Sequence, residues 1–200
     1  GNLFRALGKQ EDGFGVVNND DPQAEYFIRK TSPPVLTYSA RGGAADLRAI
    51  KVKEGIADVS AVVEWQNSFY SLTLPMPGKF NLENAMAALL AVHGVSAIPM
   101  AELVPCIEEL EPVSGRMVSL LRGQPFHVLV DYAHTPGSFQ RLFPMLRMQL
   151  DAKKRENREK NKLIALFGSA GERDRKKRPR QGQIASQYAD IIVLTDEDPR

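Results

Sequence analysis

What this chain lacks narrows it quickly. It has one cysteine, Cys106, in 200 residues, so no intrachain disulfide can form, and a reducing compartment fits. Cys106 sits in an apolar helical pattern, LVPCIEEL, and is expected to fill core rather than to react. No apolar run approaches the roughly 18 residues that a membrane helix needs. The start, GNLFRALGKQ, has no hydrophobic signal region. No G-x-x-x-x-G-K-[ST] string occurs, so the phosphate-cradling loop of a P-loop enzyme is absent from this sequence. There are no internal repeats. Charge of one sign is also lacking: 26 Lys and Arg against 24 Asp and Glu leave a formal +2, too balanced for bulk attraction to nucleic acid or membrane. A cytoplasmic protein with no membrane span and no nucleic-acid partner is expected. The start on Gly and the stop after Asp-Pro-Arg suggest a segment of something longer.

What is present is an ordinary globular composition, 43% hydrophobic and 25% charged, with material for one or two cores. Two basic clusters, 151–162 (DAKKRENREKNK) and 172–180 (ERDRKKRPR), carry +7 between them and leave −5 elsewhere. The first reads as the solvated end of a helix crossing to the next strand.

Patterning predicts a helical lead-in, strands at 14–18 and 35–38, and a helix over 21–30 with Pro22 near its start. Three more strands follow at 48–53, 57–65 and 68–74, with a hairpin turn at Gln66-Asn67. A helix capped by Asn81 and a second at 99–110 come next, then a Pro/Gly linker at 111–116. Beyond it, strands at 126–130, 163–167 and 191–194 alternate with helices at 137–150 and 179–188. That order argues for an α/β fold in which these strands form a parallel sheet. Ligands on such sheets collect at the carboxyl ends of the strands, where Asp131, the 168–171 loop and Asp196 fall.

Four strings could carry chemistry. In Val130-Asp131-Tyr132-Ala133-His134-Thr135-Pro136 a strand-end carboxylate can accept from a sugar hydroxyl, with His134 and Thr135 in the same loop; Asp131 reads equally as a turn cap. In Phe167-Gly168-Ser169-Ala170-Gly171-Glu172-Arg173-Asp174 small residues admit a ligand to the backbone, and the Arg forks that follow suit carboxylate or phosphate. In Gly78-Lys79-Phe80-Asn81-Leu82-Glu83-Asn84 two amides share a helix face and could read an adenine edge; each alone could be a cap. The acids of Thr195-Asp196-Glu197-Asp198-Pro199-Arg200 make a weak case for metal, and none is assigned.

Taken together, NNDDP, MPGKFNLENAMAAL, VSGRM, VDYAHTP, FGSAGERDRKKRP and LTDEDPR closely resemble the Mur ligases. The resemblance covers essentially the whole chain. It implies the second half of a P-loop-type central ATP-binding domain over 1–111, followed by the start of a Rossmann-like C-terminal domain over 112–200. The implied activity is an ATP-dependent, amide-forming ligation in peptidoglycan precursor synthesis. It adds a diamino acid to UDP-MurNAc-L-Ala-D-Glu through an acyl phosphate, in a monomeric bacterial enzyme.

By motif match, Asn81 and Asn84 are the adenine-side residues, Arg116 a hinge contact to nucleotide, and Asp131 the ribose carboxylate, with His134 and Thr135 nearing the phosphates. Arg173 and Arg200 match arginines that hold the carboxylates of an incoming diaminopimelate. Asp198 stands where the family has Asn, which leaves the added amino acid open. Ser169 stands where relatives often carry Cys, a change that keeps the loop small. The P-loop, the carbamylated Lys and the Mg²⁺ ligands are expected upstream, so no catalytic or metal residue is assigned here and this piece alone is expected to be inactive. The alternatives are a related folylpolyglutamate- or cyanophycin-synthetase-like ligase, a non-catalytic Mur-like scaffold, or a nucleic-acid-binding module using the basic clusters.

Overall fold

The computed structural model describes residues 2–7, 13–31, 34–55, 57–111, 113–120, 122–157, 161–170 and 174–196. The chain divides into two compact units, Gly1–Val130 and Asp131–Arg200.

In the first unit, α1 (Asn2–Leu7) precedes β1 (Gly15–Asn18), α2 (Ala24–Lys30), β2 (Val35–Ser39), β3 (Leu47–Glu54), β4 (Val59–Trp65) and β5 (Ser68–Leu74). The five strands form one sheet in chain order. β1, β2 and β3 run parallel, and β3, β4 and β5 antiparallel. Alternation sets the buried face: Val59, Ala61, Val63 and Trp65 of β4 all point into the core. The β4–β5 hairpin turns on Gln66 and Asn67, whose φ angles of 48° and 62° are both positive, as a two-residue turn with the strands' own twist requires.

The buried face is covered by α3 (Lys79–Ser96) through Leu82, Ala85, Met86, Leu89 and Leu90, and by α4 (Met100–Cys106) through Met100 and Val104. Asp20 ties the carboxyl ends of β1 and β2 together. It accepts from Ser39 Oγ at 2.7 Å and from the Ala40 N–H at 2.8 Å, which satisfies the fully buried Ser39. A short antiparallel pair, β6 (Val118–Leu120) with β7 (Val128–Val130), completes this unit.

The second unit holds α5 (Pro136–Asn157), β8 (Ile164–Phe167), α6 (Lys177–Tyr188) and β9 (Ile191–Leu194). β8 and β9 are parallel, with Ile164 opposite Ile191 and Phe167 opposite Leu194. Phe139, Phe143, Ala165, Ile184 and Ala185 form the core, with Phe167 edge-on to Phe139 at 5.0 Å. Arg147 staples the ends of this unit: its Nε donates to Tyr188 O at 2.8 Å and its Nη2 to Asp190 Oδ2 at 2.5 Å, while the same carboxylate oxygen accepts the Leu163 N–H.

Four expectations are corrected. The helix expected to be capped by Asn81 begins two residues earlier, after Gly78 at φ 95°, and Asn81 Nδ2 instead donates to Pro77 O at 2.8 Å. Cys106 is exposed rather than core-filling, because the buried stripe of α4 and the turn after it runs Met100, Val104, Ile107 and leaves residue 106 outside it. The 126–130 strand does not extend a parallel sheet; its residues 128–130 pair antiparallel with 118–120. The helix predicted for 137–150 also runs on to Asn157, into the first basic cluster.

Candidate functional site

Directly after β7, Asp131 is half-buried, and its Oδ1 accepts the Ala133 N–H at 2.8 Å, closing a turn. That turn sends the chain through His134 and Thr135, both exposed. His134 Nδ1 lies 3.0 Å from Tyr132 O, and its ring packs at 4.8 Å on the Tyr132 ring. Thr135 serves as the cap of α5. Its Oγ1 accepts the Ser138 N–H at 3.1 Å, the Ser138 hydroxyl accepts the Thr135 N–H at 3.0 Å, and Pro136 occupies the first helical position.

The parallel pair gathers two further loops at its carboxyl end. Residues 168–170 follow β8, and Thr195 and Asp196 follow β9, with the Thr195 N–H donating to Phe167 O at 3.1 Å. The first turns of α6 hold the surrounding backbone. Lys177 Nζ donates to His134 O at 3.0 Å, Arg178 Nη2 to Ala170 O at 3.2 Å, and Gln181 Oε1 accepts the Ser169 hydroxyl at 2.9 Å. One helix end therefore fixes both the 131–135 loop and the 168–170 loop.

The sequence does not signal these anchoring roles directly; its basic string there suits recognition of carboxylate or phosphate, or simply a solvated surface. A signal was available at one of them. Gln181, Ile184, Ala185 and Tyr188 recur at helical spacing on the buried side of α6, and a glutamine in such a stripe needs a partner.

In the first unit, Asn81 is half-buried and Asn84 exposed on the opening turns of α3, three residues apart and so on neighbouring positions of the helix surface. Arg116 is exposed in a tight turn, its N–H donating to Val113 O at 2.9 Å between Gly115 at φ 72° and Met117 at φ 53°. Arg173, Asp198 and Arg200 lie outside the described residues. A separate open groove of about 820 Å³ in the first unit is lined by Asp46, Arg48, Glu64, Trp65 and His93 among others, and by none of the predicted residues. There the Glu64 carboxylate hydrogen-bonds Arg48 at 2.6 Å and raises the guanidinium above its ordinary pKa.

Among the described residues no helix is long and apolar enough to cross a membrane, and no three His, Cys, Asp or Glu side chains come together as ligands for a metal ion.

Two family models match the chain: "Mur ligase middle domain" over residues 1–92 and "Mur ligase, glutamate ligase domain" over residues 115–200. A UDP-N-acetylmuramyl-tripeptide synthetase of Treponema denticola is 40% identical, over 100% of this chain and 39% of its own length. A UDP-N-acetylmuramoyl-L-alanyl-D-glutamate–2,6-diaminopimelate ligase of Geobacillus kaustophilus is 30% identical, over 100% of this chain and 40% of its own. A solved structure titled as a diaminopimelate ligase of that same kind superposes with a TM-score of 0.60 at 31% identity, covering 94% of this chain and 37% of that one. The chain thus spans about two fifths of the length of the curated relatives it matches. With matches to both family models along most of its length, the chain belongs to the Mur ligase family.

Proposed function

We propose that this chain is the adenine-side and amino-acid-side part of an ATP-dependent, amide-forming ligase of peptidoglycan precursor synthesis. The ligase adds a diamino acid to UDP-MurNAc-L-Ala-D-Glu. In this reading residues 1–111 belong to the middle domain and 112–200 to the C-terminal domain, and the enzyme is a cytoplasmic monomer. The observation that carries the reading is the 131–135 loop. A half-buried carboxylate sits at a strand end, its turn closed by the Ala133 N–H and its backbone held by Lys177. The chain that carries it is similar over its whole length to ligases named for this chemistry.

The chemistry of each candidate residue suits a part of a nucleotide. Asp131 offers an acceptor to ribose hydroxyls, Asn81 and Asn84 offer amides that both donate and accept at an adenine edge, and Arg116 offers a guanidinium to a phosphate. When bound, ATP supplies the phosphoryl group that activates the substrate carboxylate for attack by the incoming amine. The described residues do not assemble a magnesium site, and the ligands implied for it are upstream in this reading. Arg173 and Arg200 hold carboxylate of the incoming amino acid, and Asp198 favours an ammonium beside them.

The test is phosphate release by the ligase containing this chain, with meso-diaminopimelate, lysine and ornithine offered in turn. Asp131→Ala is expected to raise the KM for ATP and leave that for the amino acid, and Arg200→Ala to do the reverse. An Arg200→Ala enzyme with an unchanged amino-acid KM refutes the assignment of that residue. Amino-acid-independent phosphate release refutes the ligase reading.

A further inference from the structure

Among the described residues, β8 and β9 form a parallel pair covered on one face only. Ala165, Phe167 and Ile192 turn into the core, where Phe139 and Phe143 of α5 and Ile184 and Ala185 of α6 close over them. The register sets Ile164 opposite Ile191 and Leu166 opposite Val193, and strand alternation turns these four to the other face. There they stand 59%, 41%, 69% and 41% exposed. Parallel strands are ordinarily buried on both faces, because their crossovers lay helices on each side, and a sheet of two strands is marginal by itself. Four large aliphatic side chains in one patch therefore mark a surface that is filled when this unit is complete.

The size of the patch selects what fills it. Two strands about 4.8 Å apart and four residues long present a strip about 13 Å by 10 Å, side chains included. An α-helix is about 10 Å across and rises about 1.5 Å per residue, so roughly nine residues of one helix cover the strip. A stable contact with a second copy needs about 800 Å² per partner, well beyond what the strip offers. The path of the chain selects where the helix comes from. α6, between β8 and β9 in sequence, already lies on the first face. A right-handed crossover that leaves β9 and returns past β8 places its helix on the opposite face. The curated relatives have length for it, since this chain spans about two fifths of them.

We propose that the face formed by Ile164, Leu166, Ile191 and Val193 is the docking surface for an amphipathic helix of the same ligase, carried by the segment that follows β9 in the longer polypeptide. The proposal rests on the reading of this chain as part of such a ligase. Seating that helix completes the sheet whose carboxyl end bears the 168–170 loop and Thr195-Asp196.

The experiment places a cysteine by Leu166→Cys, Val193→Cys, Gln187→Cys or Ala185→Cys in the 200-residue chain and in the ligase containing it, and follows alkylation at that position by peptide mass spectrometry. Gln187 is exposed on α6 and Ala185 fully buried in the core, so the first should react fast and the second slowly in both proteins, which reports a folded unit. Leu166→Cys and Val193→Cys should match Gln187→Cys in the 200-residue chain and react roughly 10-fold or more slowly in the ligase, where reaction waits on local opening. A ligase cut after Arg200 should react like the 200-residue chain. Equal reactivity at these two positions in chain and ligase overturns the proposal. Protection that survives the cut after Arg200 overturns it in favour of an upstream cover, and protection lost on dilution overturns it in favour of a second copy. An unprotected face in a ligase with amino-acid-dependent phosphate release refutes the docking surface and leaves the ligase reading standing; a protected face in an enzyme without such release does the opposite.

Discussion

Replacing Thr135 by alanine removes the oxygen that caps α5 and separates two roles for a residue inside the VDYAHTP string. In the native loop Oγ1 accepts the Ser138 N–H at 3.1 Å and shares a 3.0 Å contact with the Ser138 hydroxyl. Thr135 is exposed, so water takes over part of the lost bond, and the cost should sit near the middle of the range for cap removal, about 1 kcal/mol. In local opening that is roughly a 5-fold loss of hydrogen-exchange protection at the Ser138 amide. The Phe139 amide donates to Thr135 O, a backbone acceptor that the substitution leaves in place, and serves as the internal control. Thr135→Ser and Thr135→Asp should restore protection, the aspartate with added support from the positive end of the helix. Equal exchange at Ser138 in wild type and Thr135→Ala, or a serine variant as weak as alanine, would refute the capping argument. In the ligase containing this chain the aspartate variant divides the roles further: a hydroxyl that only caps tolerates the carboxylate, whereas one that faces nucleotide phosphates does not.

Asp190 makes a pH-dependent contribution. The Arg147 guanidinium, and after it the Leu163 N–H, hold its carboxyl below the usual carboxylate range. Its stabilisation is therefore complete above the unfolded value, near pH 4, and is lost as pH falls through the lower folded value. Asp190→Asn should flatten the acid limb of a plot of urea midpoint against pH, and an unchanged limb would contradict the assignment. Leu90 is fully buried between α3 and the sheet, so Leu90→Ala should cost about 2–5 kcal/mol in urea unfolding. Asn67 holds φ 62° in the β4–β5 turn, and Asn67→Gly should stabilise the chain by about 0.5 kcal/mol, read as a raised urea midpoint.

Elements with sharp chemical borders were legible in the sequence. β9 spans Ile191–Leu194 as predicted, because an apolar run between Asp190 and Thr195-Asp196 has only one place to begin and end. The Gln66-Asn67 turn was legible because two long alternating runs flank it. Where backbone angle rather than side-chain type decides, the reading failed. α3 starts at Lys79 because Gly78 takes up φ 95°, a freedom that looks in sequence like any other glycine in a Pro/Gly stop. The strand at 118–120 went unread at three residues long, and with it the antiparallel pairing of 128–130. Cys106 was misplaced for a different reason. LVPCIEEL is apolar on average, yet the stripe that α4 buries passes through Val104 and on to Ile107.

For the site, the strings located the loops, since small residues and strand-end carboxylates are visible as types. They did not reveal what holds the loops, because Lys177, Arg178 and Gln181 act through contacts with residues 134, 170 and 169. Two of those three partners are backbone carbonyls, which no side-chain pattern can signal.

The staple at Arg147 has a consequence for the order of assembly. It joins residues 43 apart in the chain, and its acceptors lie at the far end of α6 and just before β9. Neither acceptor is in place until the crossover between β8 and β9 has closed. Closing that loop costs entropy before any part of the bond is returned, so Arg147→Ala is expected to speed unfolding more than it slows folding, and stopped-flow kinetics that show the reverse would refute this. On that expectation Arg147 bears on how long this unit stays folded once made, more than on how fast it is made.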